Sequence, residues 1–304
     1  MDARILDLPF GPATLNGLSE KLIHSHHHNN YGGAVKRLNA IRAQLGELSF
    51  EKAPGFLLNG LKREELIATN SMVLHELYFA CLGTDGQAMV PAMELALRAS
   101  FGSVERWREE FVAMGKALGG GSGWVLLSLQ PREGSLVNQW APDHTHALAG
   151  GTPLLALDMY EHAYHMDFGS SAAAYVDAFM ENINWARVYE NYQAAVEQSS
   201  EAFGASPDEL GNALLVDVRR QAIYEQSDAL IEGATWRDPG AVAAWSPELP
   251  RDREVVVYCV YGHEVGRSTA MRLRAAGVRA RFLRGGFDGW KSAGRALQGK
   301  GGRS

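Results

Sequence analysis

The sequence predicts an α+β chain in two units: a helical hairpin joined to an α/β half, then a second α/β unit built on a parallel sheet. Three observations predict it. Apolar residues recur at three-and-four spacing over residues 15–45 and 62–82; three apolar strands follow between residues 124 and 159; and past residue 211 the pattern becomes short strand, helix, short strand. Charge divides the chain in the same way. Residues 251–304 hold 12 Lys/Arg against 4 Asp/Glu, a local +8 within a net charge of −6, which leaves −14 on the first 250 residues.

The elements follow in order. The second arm of the hairpin ends in ELIATNSMVLHELYFACL. Residues 92–118, AMELALRASFGSVERWREEFVAMGKAL, read as a third helix interrupted at Phe101–Gly102 and closed by GGGSG at 119–123. The strands are WVLLSLQ, SLVNQW and PLLALDM, the last nearly all apolar and so expected to be buried on both faces. A helix over residues 172–196 ends the first unit, and EQSSEAFGASPDELG, residues 197–211, reads as the connection. ALLVDVR, EVVVYCV, EVGRSTAMRLRAAG and ARFLRG then alternate as strand, strand, helix, strand, the pattern of a parallel sheet with crossover helices. The expected division is a hairpin over 1–90, an α/β half over 91–198, a linker over 199–208 and a second unit over 209–304.

Composition sets bounds on the class. With 46% hydrophobic and 21% charged residues in 304, the chain has material for two packed cores, which excludes disorder. No apolar run reaches the roughly 18 residues of a membrane span, and the opening MDARILDLPFGP lacks the basic-then-apolar layout of a secretory signal. A cytoplasmic protein with neither membrane nor nucleic acid among its partners is expected. Cys81 and Cys259 stand far apart in unlike contexts, so both are expected to be reduced.

Chemistry-bearing side chains gather in two places. In LIHSHHHNNYGG, residues 22–33, four histidines fall within five positions; His75 lies on the second helix; and LALDMYEHAYH sets His162 four residues after Asp158 at a strand end. Burying an aspartate there costs on the order of several kcal/mol unless something neutralises it. A cation would do so. Three imidazoles and one carboxylate suit a first-row transition metal better than calcium or magnesium, with zinc, iron and manganese left open by spacing alone.

Residues 7–195 resemble the iron/manganese superoxide dismutases. LPFGPATLNGLS is similar to that family's opening, HELYFACL to its second-ligand helix, SFGSVERWREEF and GSGW to its middle, and TPLLALDMYEHAYHMDF to its D-x-W-E-H-A-Y-Y signature. The resemblance implies the dismutase fold for the hairpin and its α/β half, one Fe or Mn per subunit, homodimers formed through this unit, and dismutation of superoxide to dioxygen and hydrogen peroxide. Aligned without gaps on Leu18-Ser19 and on Leu38-Asn39, it implies His26, His75, Asp158 and His162 as ligands; a shift of one residue would substitute His27. It also implies that His144 in APDHTHAL, with His146 as the alternative, hydrogen-bonds the metal's solvent, and that Glu161 bridges the dimer.

The departures carry information too. The family's gateway histidine and relay tyrosine are matched by Asn30 and Ala34, its signature tryptophan by Tyr160, the tyrosine paired with the gateway by His165, and its entrance arginine by Ala172. Weaker steering of superoxide follows on an already acidic unit. On α-helical geometry Tyr31 lies about 60° round from position 34, so its hydroxyl is expected to cover part of the lost tyrosine's space. Ser71, where iron-type members often carry glutamine, leaves room for donation from the His144 side.

Cys259 directly follows the strand EVVVY and precedes the turn VYGHEVG that opens a helix, where free N–H groups favour a thiolate. LLVDVR, C-V-Y-G, LRGGF and a W-x-x-A-G-like end at Trp290–Gly294 together resemble the rhodanese domain over residues 209–299. That implies a persulfide on Cys259, taken from a small sulfur donor and passed to an acceptor, with Asp217 and Arg219 bracing the loop. Glu264 stands where thiosulfate-using members tend to be basic, so it opposes an anionic donor, whereas Arg267 and the local +8 act the other way. Cys81 is expected in the core. A competing reading makes the first unit a metal-bearing dimerisation scaffold with weak or no dismutase activity, leaving the chemistry to Cys259.

Overall fold

The structure, a computed structural model, describes residues 2–300; Met1 and residues 301–304, the end of the expected second unit, lie outside the described residues. Ser19 caps α1 (Glu20–Ser25), its hydroxyl accepting from the Leu22 N–H at 3.1 Å. The helix then widens into a π-helical turn, His26–Tyr31, before continuing as α2 (Gly32–Glu47). Antiparallel to it runs α3 (Gly55–Ala80), so the hairpin is formed by the two runs whose apolar spacing predicted it. α4 (Pro91–Phe101) stops at Gly102, whose φ of +90° suits glycine, and Ser103 caps α5 (Val104–Ala117). The interruption read at Phe101–Gly102 is therefore real.

β1 (Trp124–Gln130), β2 (Ser135–Ala141) and β3 (Thr152–Asp158) make an antiparallel sheet in the order β2-β1-β3. β3 is buried from Leu154 onward, which accounts for its unbroken apolar run. Its register sets Asp158 opposite Trp124. After α6 (His165–Phe168), the single helix expected over 172–196 is two, α7 (Ala172–Glu181) and α8 (Trp185–Ser200). Asn182 explains the break: its buried carboxamide accepts from Asn16 N–H at 2.8 Å and donates to the Asn16 and Ala178 carbonyls. Asn184 then caps α8 by accepting from Arg187 N–H.

The second unit runs β4 (Gly204–Ala205), β5 (Leu214–Asp217), α9 (Gln221–Glu225), β6 (Ala229–Ile231), β7 (Thr235–Trp236), α10 (Val242–Trp245), β8 (Val255–Tyr258), α11 (Glu264–Ala275), β9 (Ala280–Leu283), α12 (Gly286–Ser292) and β10 (Leu297–Gly299). Five strands form the expected parallel sheet, order β4-β9-β8-β5-β7, and β6 pairs with β10 in a small antiparallel ribbon. β4 lies within the Ser/Gly/Pro stretch between the units, where it adds an edge strand beside β9.

The two units share a wall. α11 packs on α8, and its Met271 is buried in the core of the first unit. Beside it Arg272 donates to the carbonyls of Gly134 (3.0 Å) and Ala99 (2.8 Å) and to the Ser100 hydroxyl (2.8 Å). Among the described residues no helix is long and apolar enough to cross a membrane.

Candidate metal centre and thiol loop

Four elements bring the predicted ligands together. His26 opens the π-helical turn, His75 sits on α3, Asp158 ends β3, and the short turn Glu161–Ala163 folds His162 back over it. One donor atom from each lies within 4.8 Å of all the others. Asp158 Oδ2 is 3.0 Å from His26 Nε2, 3.2 Å from His162 Nε2 and 3.4 Å from His75 Nε2, while its Oδ1 accepts the Tyr160 N–H at 2.9 Å. His26, His75 and Asp158 are buried; His162 keeps 26% of its side-chain surface.

These residues fit a cation for reasons internal to the site. His75 Nδ1 donates to the Ser71 carbonyl at 2.6 Å, so its proton is on Nδ1 and a lone pair on Nε2 faces the carboxylate. A second imidazole nitrogen, His162 Nε2, lies 3.4 Å away. The His75 lone pair, aimed at an anion 3.4 Å away, is repelled by it unless a positive ion sits between them. Burial pushes His26 below its ordinary range and His75 down to about 3, so both offer neutral nitrogen. Burial also opposes ionisation of Asp158, but hydrogen bonding and electrostatic attraction from His162 and His26 hold its carboxyl well below the usual range. His26 and His75 thus present neutral imidazoles to one anion.

The histidine run resolves by position. His26 joins the cluster; His27 donates from Nε2 to the Leu6 carbonyl at 2.8 Å; His24 and His28 are exposed. His144 lies beside the cluster, its ring 6.2 Å from that of His75 and stacked at 4.7 Å on Tyr160. Trp124 donates its indole N–H to His144 Nδ1 at 3.0 Å, which leaves the His144 proton on Nε2. His146 instead pairs with Asp143 at 2.8 Å on the surface.

Tyr31 is placed differently from its expectation. Its ring stacks 6.5 Å from His75, but its hydroxyl accepts from Leu6 N–H (2.9 Å) and donates to Glu76 (3.0 Å), and none of its hydrogen bonds goes to the four donors. The π-helical turn is the reason. Five residues per hydrogen-bonded turn instead of four rotate position 31 away from the angle that α-helical spacing assigns it. Glu161 and His165 are exposed, and Ala172 is buried at the start of α7. Trp124 was missed by sequence reasoning; its pairing opposite Asp158 is invisible without register.

In the second unit Cys259 follows β8, 6% exposed, its backbone locked by hydrogen bonds from Phe287 N–H to the Cys259 carbonyl and from Asp288 N–H to that of Val260. That close approach requires glycine at 286, where φ is +57° and a Cβ would stand 2.6 Å from the Cys259 oxygen. Burial pushes the thiol up and Glu264 adds to this, against the backbone N–H groups of Gly266, Gly262 and His263. Arg219, 2% exposed, grips Asp217 through Nε and Nη2 and lies 4.1 Å over Phe287. Cys81 is fully buried in the first core, as its helix position predicted.

Comparison with known proteins agrees with this geometry. A family model described as iron/manganese superoxide dismutases, C-terminal domain, matches residues 89–191, and one described as rhodanese-like domain matches residues 205–293. Superoxide dismutase [Fe] of Cupriavidus metallidurans is 70% identical over 185 residues, covering 61% of this chain and 93% of that protein. Superoxide dismutase [Fe] of Aquifex aeolicus is 32% identical over 193 residues, with 61% and 89% covered, and superoxide dismutase [Mn] 2 of Halobacterium salinarum is 34% identical over 182, with 59% and 88% covered. Both metals occur among the relatives, and in the C. metallidurans protein the match spans nearly the whole length. The chain therefore belongs to the iron/manganese superoxide dismutases, and its remaining residues add a rhodanese-like domain.

Proposed function

We propose that the first unit dismutates superoxide at one Fe or Mn ion held by His26, His75, Asp158 and His162, and that the second unit carries sulfane sulfur on Cys259. The observation behind the first half is the convergence of three imidazole nitrogens on one buried carboxylate oxygen, with the His75 lone pair fixed toward it. Bound iron or manganese would supply the one-electron couple that both halves of a dismutation need. Asp158 and the neutral imidazoles of His26 and His75 set the charge of the site, since one carboxylate offsets a single positive charge. His144, its Nδ1 occupied by Trp124, carries its proton on Nε2, with its ring 6.2 Å from that of His75. Tyr31 enters as a ring covering His75 and as the anchor of Leu6.

The exposed edge of His162 beside Glu161 supports a homodimer in which a second copy covers the site. Superoxide is the substrate on this reading, and a cytoplasmic setting accords with two reduced cysteines. The experiment is elemental analysis of purified protein followed by superoxide consumption per bound metal. Activity well above that of His26→Ala, with about one Fe or Mn per chain lost in the variant, is the expected result. Activity no better than His26→Ala would leave the first unit a scaffold.

A further inference from the structure

Cys259 does not lie in a pocket built by its own unit alone. A cavity of about 200 Å³ opens on it, lined by Val260, Tyr261 and Glu264 from the rhodanese-like unit and by Ala92, Tyr189 and Gln193 from the dismutase unit. That is below the roughly 300–1,000 Å³ of ordinary ligand pockets, so it admits a molecule of few heavy atoms. Two of its charges lack a counter-charge. Glu264, 8% exposed, accepts from the Tyr189 hydroxyl (2.9 Å) and from Gln193 Nε2 (3.2 Å), both neutral, and no cationic side chain pairs with it among the described residues. Arg220, also on this cavity, has a guanidinium without an ion pair or hydrogen bond among the described residues, whereas Arg219 is committed to Asp217 and Arg267 to Glu197 and Glu201. His263 lines the mouth but is exposed.

A carboxylate held out of water by neutral donors keeps its charge only at a cost, and a ligand cation removes that cost. A dianion such as thiosulfate gains from Arg220 and loses against Glu264. A small zwitterion gains from both. We infer that this pocket selects a sulfane-sulfur donor bearing an ammonium and a carboxylate, an α-amino acid persulfide, with Glu264 taking the ammonium, Arg220 the carboxylate, and Tyr189 and Gln193 of the dismutase unit fixing Glu264 for that task. The inference rests on the sulfur-carrying reading of Cys259.

The step balances without an oxidant or reductant. The Cys259 thiolate, its proton already released to solvent, attacks the terminal sulfur of R–S–SH; the Cys259 S–S bond forms, the donor S–S bond breaks, and R–S⁻ leaves to take a proton from water. An ammonium on Glu264 also cancels the negative charge that holds the thiol up, so the donor promotes formation of its own nucleophile.

The test charges the full-length protein with cysteine persulfide, with 3-mercaptopropionate persulfide, which lacks the ammonium, with cysteamine persulfide, which lacks the carboxylate, and with thiosulfate. Mass spectrometry of quenched samples reads the sulfur atom gained on Cys259. Cysteine persulfide is expected to charge it about tenfold faster than either singly charged analogue, the worth of one charged hydrogen bond. Glu264→Gln should close the gap to the mercaptopropionate donor, and Arg220→Gln the gap to the cysteamine donor. Equal rates for the three persulfides in the wild-type protein, or faster charging by thiosulfate, overturn the inference even where a variant fails to fold, and leave Cys259 as a sulfur carrier. If no donor adds sulfur to Cys259, the sulfur-carrying reading falls and the inference with it.

Discussion

The indole of Trp124 and the imidazole of His144 are joined by a hydrogen bond of 3.0 Å from Nε1–H to Nδ1. Trp124 is wholly buried at the start of β1, opposite Asp158, so the bond is fixed by the same strand register that places the carboxylate. An imidazole whose Nδ1 accepts must carry its proton on Nε2. Trp124→Phe keeps most of the ring volume and removes the donor, freeing the His144 tautomer. Turnover per bound metal should fall about ten- to a hundredfold, the usual effect of losing a group that orients a metal site. Metal content by elemental analysis should stay near that of the wild type. Unchanged turnover would mean that the His144 tautomer is irrelevant to the reaction.

Cys259 gives a pH dependence whose sign follows from its surroundings. Burial and the Glu264 charge hold the thiol above its ordinary range despite three backbone N–H groups. Thiolate is therefore scarce at neutral pH, and alkylation by iodoacetamide should keep accelerating at a pH where the curve of a free cysteine has flattened. Arg219, Arg220, His263 and Tyr189 also face this cavity, and Glu264→Gln alters only the one negative charge among them. The variant's alkylation curve should move to lower pH. Cys81 does not interfere, because it is fully buried and pushed up to about 12. A curve that stays in place would show that Sγ does not feel the Glu264 charge.

Asn182 offers a test of how the first unit holds its metal-bearing turn. Its buried carboxamide closes on both backbone groups of Asn16, in the turn that precedes α1 and His26. Asn182→Ala leaves three backbone groups short of partners, at about 1 kcal/mol each. Urea unfolding should show a midpoint lowered by an amount equivalent to about 2–3 kcal/mol, and metal should exchange faster. Wild-type stability would contradict the role given to these bonds.

How far the sequence spoke depends on whether a feature is local. The run PLLALD announced a buried strand ending in a carboxylate, and Phe101-Gly102-Ser103 announced a helix break, because residue type alone carries both signals. Asp158 and His162 stand in one specific motif, whereas His26 and His75 were reached through the wider resemblance, with His27 as the alternative to His26. The position of Tyr31 was not, since no composition rule distinguishes HHHNNY in a π-helical turn from the same residues in an α-helix. The break at Asn182 was hidden for a related reason: its partners are the backbone of Asn16, remote in sequence and silent in any pattern. Glu264 was read correctly as a negative charge beside the thiol, but the residues that hold it, Tyr189 and Gln193, belong to the other unit.

Arg272 is the sharpest instance of that blindness and yields the last prediction. In sequence it is one more arginine on an amphipathic helix, to be read as a solvated face. In the structure its guanidinium crosses the seam to the carbonyls of Ala99 and Gly134 and the Ser100 hydroxyl, next to Met271 in the first unit's core. No acidic side chain pairs with it among the described residues, so its charge is satisfied by dipoles alone, and burial pulls its pKa below the ordinary arginine value. Arg272→Met keeps the stem's apolar packing and removes the donors. Two carbonyls and a hydroxyl then lose a charged partner, a loss of about 2–4 kcal/mol if they stay buried. Because these bonds join two units with separate sheets, the loss should fall on the seam rather than on either core. Urea unfolding followed by tryptophan fluorescence should resolve two transitions in the variant, with the wild type unfolding as one. Iodoacetamide should then reach Cys259 faster, since Leu95 of α4 packs against that cysteine across the same seam. A variant that unfolds in one step with unaltered Cys259 reactivity would mean that the apolar contacts of α11 hold the units together without the arginine.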